Sequence, residues 1–119
     1  DMGVTFADLA LRNIDYPAKK SEGKFLVDSG ATFTVVPKEM TKHLGLKAIR
    51  KEKFELADGG EIIRGIGNCI VTYKNIEVPT QVILGEGDDS ALLGVLTLEE
   101  MGLTLHPLSR KLDKMILRM

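Results

Sequence analysis

Aromatic side chains are scarce in this chain, 5% of 119 residues with no tryptophan. Single-stranded nucleic acid is bound on such rings, so base stacking is a poor fit. Neither sign of charge dominates. Sixteen Lys and Arg stand against 17 Asp and Glu, for a formal net charge of -1. The basic residues are spread along the chain, and no stripe of them exists to neutralise phosphates. There is one cysteine, Cys69, which excludes an intramolecular disulfide and favours a reducing, cytoplasmic setting. No apolar run is long enough to span a bilayer and no signal peptide is evident, so neither membrane nor nucleic acid is an expected partner. Met2-Gly3 reads as a natural start, with Asp1 a leftover of cloning or processing.

What is present is a balance of 44% hydrophobic and 28% charged residues, ordinary for a soluble globular chain. The length suits one domain, 1–119, with its own core. Turn signals divide it into short elements. Val4 to Leu11 and Lys24 to Val27 read as strands, separated by a break at Asn13 to Pro17 and a charged loop from Ala18 to Gly23. Ala31 to Val36 is extended. Residues 37–44 have Pro at the start, Gly45 at the end, and Met40 and Leu44 on one face, which predicts a short helix.

Lys53 to Ala57 and Glu61 to Tyr73 form the arms of a hairpin, with Asp58-Gly59-Gly60 as its turn. Gly65 and Gly67 inside the second arm mark a bulge or a close backbone approach. Ile76 to Leu84 is a further strand, with Pro79 at an edge or bulge. Gly85 to Ser90 is an acidic, solvated loop. Thr97 and Glu100 fit a capping box for a second short helix that Gly102 ends. Leu103 to Leu105 and Met115 to Met119 are the last predicted strands. The fold class is therefore mostly β with one or two short helices.

Chemistry concentrates at Phe25-Leu26-Val27-Asp28-Ser29-Gly30-Ala31. An apolar strand carries a carboxylate into a tight turn rich in backbone donors. A lone carboxylate titrates near about 4 and is a weak base at neutral pH. Two carboxylates held about 3 Å apart share a proton, so one is a base toward water and the other an acid toward a carbonyl oxygen. The chain has one such signature. Asp58-Gly59-Gly60 lacks the hydroxyl residue and Asp89-Ser90-Ala91 lacks the glycine. A symmetric homodimer, with Asp28 from each copy meeting on the two-fold axis, supplies the pair. Gly30 then turns the backbone and presents amide donors, and Ser29 donates across the axis. By itself the triplet is also what an ordinary turn looks like, because Asp, Ser and Gly are all turn residues.

Three segments in order resemble the retropepsin-like, or retroviral-type, aspartic proteases. They are the Leu26 to Ala31 loop, the Leu56 to Glu61 hairpin, and Leu92-Leu93-Gly94 followed by a short helix. The resemblance implies a closed, bent β-sheet domain, homodimeric, acting on a peptide or protein substrate, with no cofactor and no metal. It implies a catalytic Asp28 supported by Ser29, Gly30 and Ala31. It makes Asp58, Gly59 and Gly60 a flap, and packs Leu92, Leu93 and Gly94 beneath the catalytic loop. Gly65-Ile66-Gly67 is the alternative flap tip. The resemblance also implies terminal strands that interleave at the dimer interface. Thr32 and Val95 stand where viral enzymes carry an acidic residue and an arginine, which points to cellular and prokaryotic relatives.

The expected function is an aspartic endopeptidase, with a non-catalytic peptide-binding or dimerisation module on the same fold as the alternative. Ala31, Ile63 and Leu93 are candidate pocket residues. His43, His106 and Cys69 lack the spacing of a metal site.

Overall fold

The structure, a computed structural model, describes residues 4–119. Asp1, Met2 and Gly3, and with them the Met2-Gly3 start, lie outside the described residues. Strand β1 (Phe6–Arg12) alternates in and out, burying Ala7, Leu9 and Leu11. It pairs antiparallel with β2 (Lys20–Val27), whose last turn buries Phe25 and Val27. β3 (Thr34–Val36) follows the Asp28 turn, and α1 (Lys38–Leu44) follows Pro37. Gly45 ends α1 in the left-handed region at φ 66°, where a side chain would be strained.

β4 (Arg50–Glu55) and β5 (Glu61–Tyr73) make the hairpin, and β6 (Ile76–Leu84) returns beside β5. Then come β7 (Leu92–Leu93), α2 (Val95–Met101), β8 (Leu103–Leu105) and β9 (Leu112–Lys114).

Seven strands form one sheet in the order β1-β2-β7-β3-β6-β5-β4. The far end of β5 also pairs with β1, through Ile70 to Thr72. That extra ladder closes the sheet on itself, around a core of Leu9, Leu11, Phe25, Val71, Val82 and Leu93. β8 and β9 make a separate two-stranded ribbon. The structure is thus mostly β, closed and bent, with two short helices.

Several local readings change. β2 begins at Lys20 and takes in much of the predicted charged loop, because its outward-facing charges lie along a strand paired with β1. The Met115 to Met119 strand does not form. The β strand of the tail is β9, and after the Met115 N–H donates to Gly102 O the last residues run on exposed and without strand pairing, Leu117 lying near Gly102. Helix α2 starts at Val95 with Gly94 as its cap, so no capping box exists, and Thr97 lies fully buried inside the helix. At Gly65 and Gly67 a Cβ would sit 2.9 Å from Ala48 Cβ and 2.7 Å from the Lys47 carbonyl oxygen. These glycines serve a close approach in mid-strand, with Ile66 fully buried between them, so Gly65-Ile66-Gly67 is not a hairpin tip.

Candidate active site

Val27 is the last buried residue of β2, and Asp28 is where the chain turns. The Asp28 N–H still donates to Leu93 O at 3.0 Å, and the Ala31 N–H closes the turn onto Asp28 O at 3.1 Å. The Gly30 N–H donates to Asp28 Oδ1 at 2.9 Å. This bond to a charged acceptor holds one carboxylate oxygen in place. Ser29 and Gly30 are exposed at the apex, while Asp28 and Ala31 are half-buried.

β7 lies between the two arms of this loop. Leu26 and Val27 pair parallel with Leu92 and Leu93, and Leu92 pairs antiparallel with Val35. The start of α2 continues the support: Val95 N–H donates to Ala31 O at 2.8 Å and Leu96 N–H to Thr32 O at 2.9 Å. Only glycine fits at position 94, where a Cβ would lie 2.5 Å from the Phe33 carbonyl. The Gly94 N–H donates to Thr34 Oγ1 at 3.1 Å. Thr34 Oγ1 is 2.7 Å from Thr97 Oγ1, which is 3.1 Å from Thr80 Oγ1. All three hydroxyls are buried, and each finds a partner in the others, which satisfies them away from water. Thr34 and Thr80 each share a strand face with a buried valine, Val36 and Val82, a period-two clue in the sequence. Thr97 offered none.

Above the loop is an open cleft of about 550 Å³, lined by Asp28, Ala31, Phe33, Phe54, Ile62 and Leu92 among others. Phe33 and Phe54 meet edge-to-face, with centroids 6.0 Å apart, and join the loop to the hairpin. Of the expected pocket residues only Ala31 lines the cleft. Ile63 faces solvent and Leu93 is core, and their strand neighbours Ile62 and Leu92 line it instead. The period of two makes each a shift of one residue. Asp58, Gly59 and Gly60 form the hairpin tip, where Leu56 N–H donates to Gly60 O at 2.7 Å and Gly59 has φ 89°.

Asp89 belongs to the loop that was expected to be solvated, yet it lines the cleft. Arg64 Nε donates to its Oδ2 at 2.7 Å and Nη2 to its Oδ1 at 3.1 Å. The Arg64 hydrogen bonds hold the Asp89 carboxyl below the ordinary carboxylate range, and that carboxylate in turn raises the Arg64 guanidinium. Cys69 is fully buried, and burial pushes its thiol up to about 12, far from a usable nucleophile. His43 Nε2 lies 3.1 Å from Lys20 O, and His106 Nδ1 accepts from the Leu108 and Ser109 N–H groups.

A family described as "gag-polyprotein putative aspartyl protease" matches residues 18–100. The fold is similar to the crystal structure of a retropepsin-like aspartic protease from Rickettsia conorii. That match has 26% sequence identity and a TM-score of 0.53, covering 89% of this chain and 87% of the other. No curated protein matches. The matched span runs from the strand before Asp28 into the last turn of α2 and so holds both turns and the cleft wall. The chain belongs to the retropepsin-like, gag-type aspartyl protease family.

Proposed function

We propose that the chain is an aspartic endopeptidase that works as a homodimer, Asp28 of each copy activating one shared water. The observation that carries this reading is the Asp28 carboxylate in the cleft, one oxygen held by the Gly30 N–H. A proton-sharing pair needs a second carboxylate. Asp89 is the other half-buried acid of the cleft, and Arg64 already neutralises it. An Asp28 from a second copy is the remaining source. Exposed apolar side chains at both chain ends, Phe6, Ile116, Leu117 and Met119 among them, offer surface for that contact.

In this reading one Asp28 takes a proton from water as the water attacks the scissile carbonyl carbon. The other, protonated, gives its proton to the carbonyl oxygen; the C–N bond of the resulting gem-diol then breaks, the amine leaving with a proton from the first Asp28 while a diol hydroxyl returns its proton to the second. Neither step needs a covalent intermediate. The β4–β5 hairpin serves as the flap, closing over an extended peptide and excluding water. Ser29, exposed at the apex, donates across the two-fold axis.

A mixed peptide library from about pH 4 to 7, with wild type and Asp28→Asn, tests the reading. Sedimentation of both proteins runs beside it. Cleavage by a wild-type dimer alone supports it. A dimer that binds peptides and cuts none establishes the peptide-binding module instead.

A further inference from the structure

Arg64 stands at the point where the hairpin leaves the sheet. Toward β6, the ladder of β5 runs from Tyr73 to Gly65 and its last rung is Gly65 with Leu84. Toward β4 it continues to Glu61, but β4 is the outermost strand in the sheet order. From residue 64 outward the two arms therefore have, among the described residues, only each other as backbone partners within the sheet. Inside the last rung the backbone is packed without slack. The glycines at 65 and 67 lie against Ala48 and Lys47, and the Ile49 N–H donates to Ile66 O at 2.7 Å.

At the first residue past that rung a side chain takes over from the backbone. The Arg64 guanidinium reaches Asp89 with two bonds, in the loop that directly follows β6. Asp89 is itself anchored. Its Oδ2 accepts the Glu86 N–H at 2.9 Å and its own N–H donates to Glu86 O at 3.0 Å. The loop's first residue is tied to β3, through the Gly85 N–H on Val36 O at 2.7 Å. Relative side-chain exposures are 18% and 23% for this pair, against 34% or more for every other ion pair among the described residues. A forked, half-dry guanidinium–carboxylate contact is directional and poorly screened by salt.

We propose that the Arg64–Asp89 pair is the pivot clamp of the hairpin. It sets Ile63 as the first residue of the moving lever and holds the 85–91 loop as the fixed wall of the cleft. Arg64 and Asp89 are positioning residues. They act on substrate through the placement of the hairpin, and this kinetic consequence rests on the protease reading above. A lever that starts further back closes less often on the correct geometry, so productive binding suffers before the chemical step does.

The test is hydrogen exchange by mass spectrometry on the full chain, with steady-state kinetics on a peptide the library shows to be cut. The variants are Arg64→Gln, Asp89→Asn and Arg64→Lys. In the first two, amides of residues 52–63 exchange about 5- to 10-fold faster and those of 66–73 do not change. KM rises about 3- to 10-fold while kcat stays within about 2-fold. Arg64→Lys, which keeps the charge and loses the fork, falls between. Unchanged exchange over 52–63 in both loss variants overturns the clamp. So does faster exchange spread evenly over the chain, and so does a fall in kcat with KM constant. If the wild type cuts no peptide the protease reading fails, and the exchange pattern still decides the clamp.

Discussion

In the two Asp-X-Gly turns among the described residues the third residue's N–H donates to the aspartate's Oδ1, at 2.9 Å from Gly30 to Asp28 and at 2.8 Å from Gly60 to Asp58. The bond is the same, and the surroundings are opposite. Beneath Asp28 lie β7, the start of α2 and three buried threonine hydroxyls. Beneath Asp58 there is only the partner arm of its own hairpin, and residues 55–61 are exposed throughout. One turn is seated on rigid structure, as a reacting group must be. The other stands free, as a closing element must. Identical local chemistry therefore yields a seated carboxylate in one place and a free-standing tip in the other, which the proposed function makes the catalytic group and the flap.

Exchanging carboxylate for amide at each turn sharpens that contrast most. Asp28→Asn should lower peptidase activity by at least about 10³-fold, because the proton-sharing pair is lost. Asp58→Asn should cost about ten-fold or less, since an amide oxygen still accepts the Gly60 N–H. Initial rates on one peptide, with dimerisation checked by sedimentation, measure both.

Adding one methyl group separates the turns by stability. Gly94→Ala drives a Cβ into the Phe33 carbonyl at 2.5 Å, and overpacking against backbone should cost about 3 kcal/mol or more. At Gly59, where nothing lies within 4 Å but φ is +89°, alanine should cost about 1 kcal/mol of strain confined to the hairpin. Denaturant midpoints with unchanged slopes give both numbers.

A smaller cost than that of Gly94→Ala is expected beneath the Asp28 loop. Thr97→Val keeps the volume but leaves the Thr34 and Thr80 hydroxyls without their shared partner. About 1–3 kcal/mol of stability should go, read by urea unfolding.

The smallest effect is on pH dependence. The folded-state pKa of Asp89 is lowered, chiefly by its Arg64 hydrogen bonds. Its contribution is thus complete above the ordinary carboxylate value and is lost as pH falls through the lowered one. Glu86 also faces Arg64 and helps to raise its guanidinium. A thermal melt series should show wild type losing more stability in acid than Asp89→Asn does, with no difference in slope near neutrality.

Much of the fold could be read locally. Gly45 and Gly102 end the two helices, each with a left-handed φ. β5 and β6 run over the predicted residues, since apolar alternation between turn signals leaves little choice of period. The loop at Asp28 and the hairpin tip at residues 58–60 were legible because Asp and Gly make those turns by short-range hydrogen bonds and sterics. Readings that needed a face or a partner fared less well. Ile63 and Leu93 were each one residue off the cleft, a distance that decides everything in a strand and is invisible without knowing which side is buried.

By itself, then, the sequence determined the turns at Asp28 and at residues 58–60, the bounds of β5, β6 and β8, the ends of both helices, and the one carboxylate with an apolar strand behind it. Those depend on contacts within a few residues. The tertiary structure alone decided that Thr97 joins Thr34 across 63 positions instead of capping its helix, and that Arg64 reaches Asp89 across 25. It also decided that residues 115–119 lie outside the sheet, where β9 takes the place predicted for them. Such contacts depend on how the closed sheet brings distant segments together, and hydroxyl and charged groups carry no local pattern that names their partner.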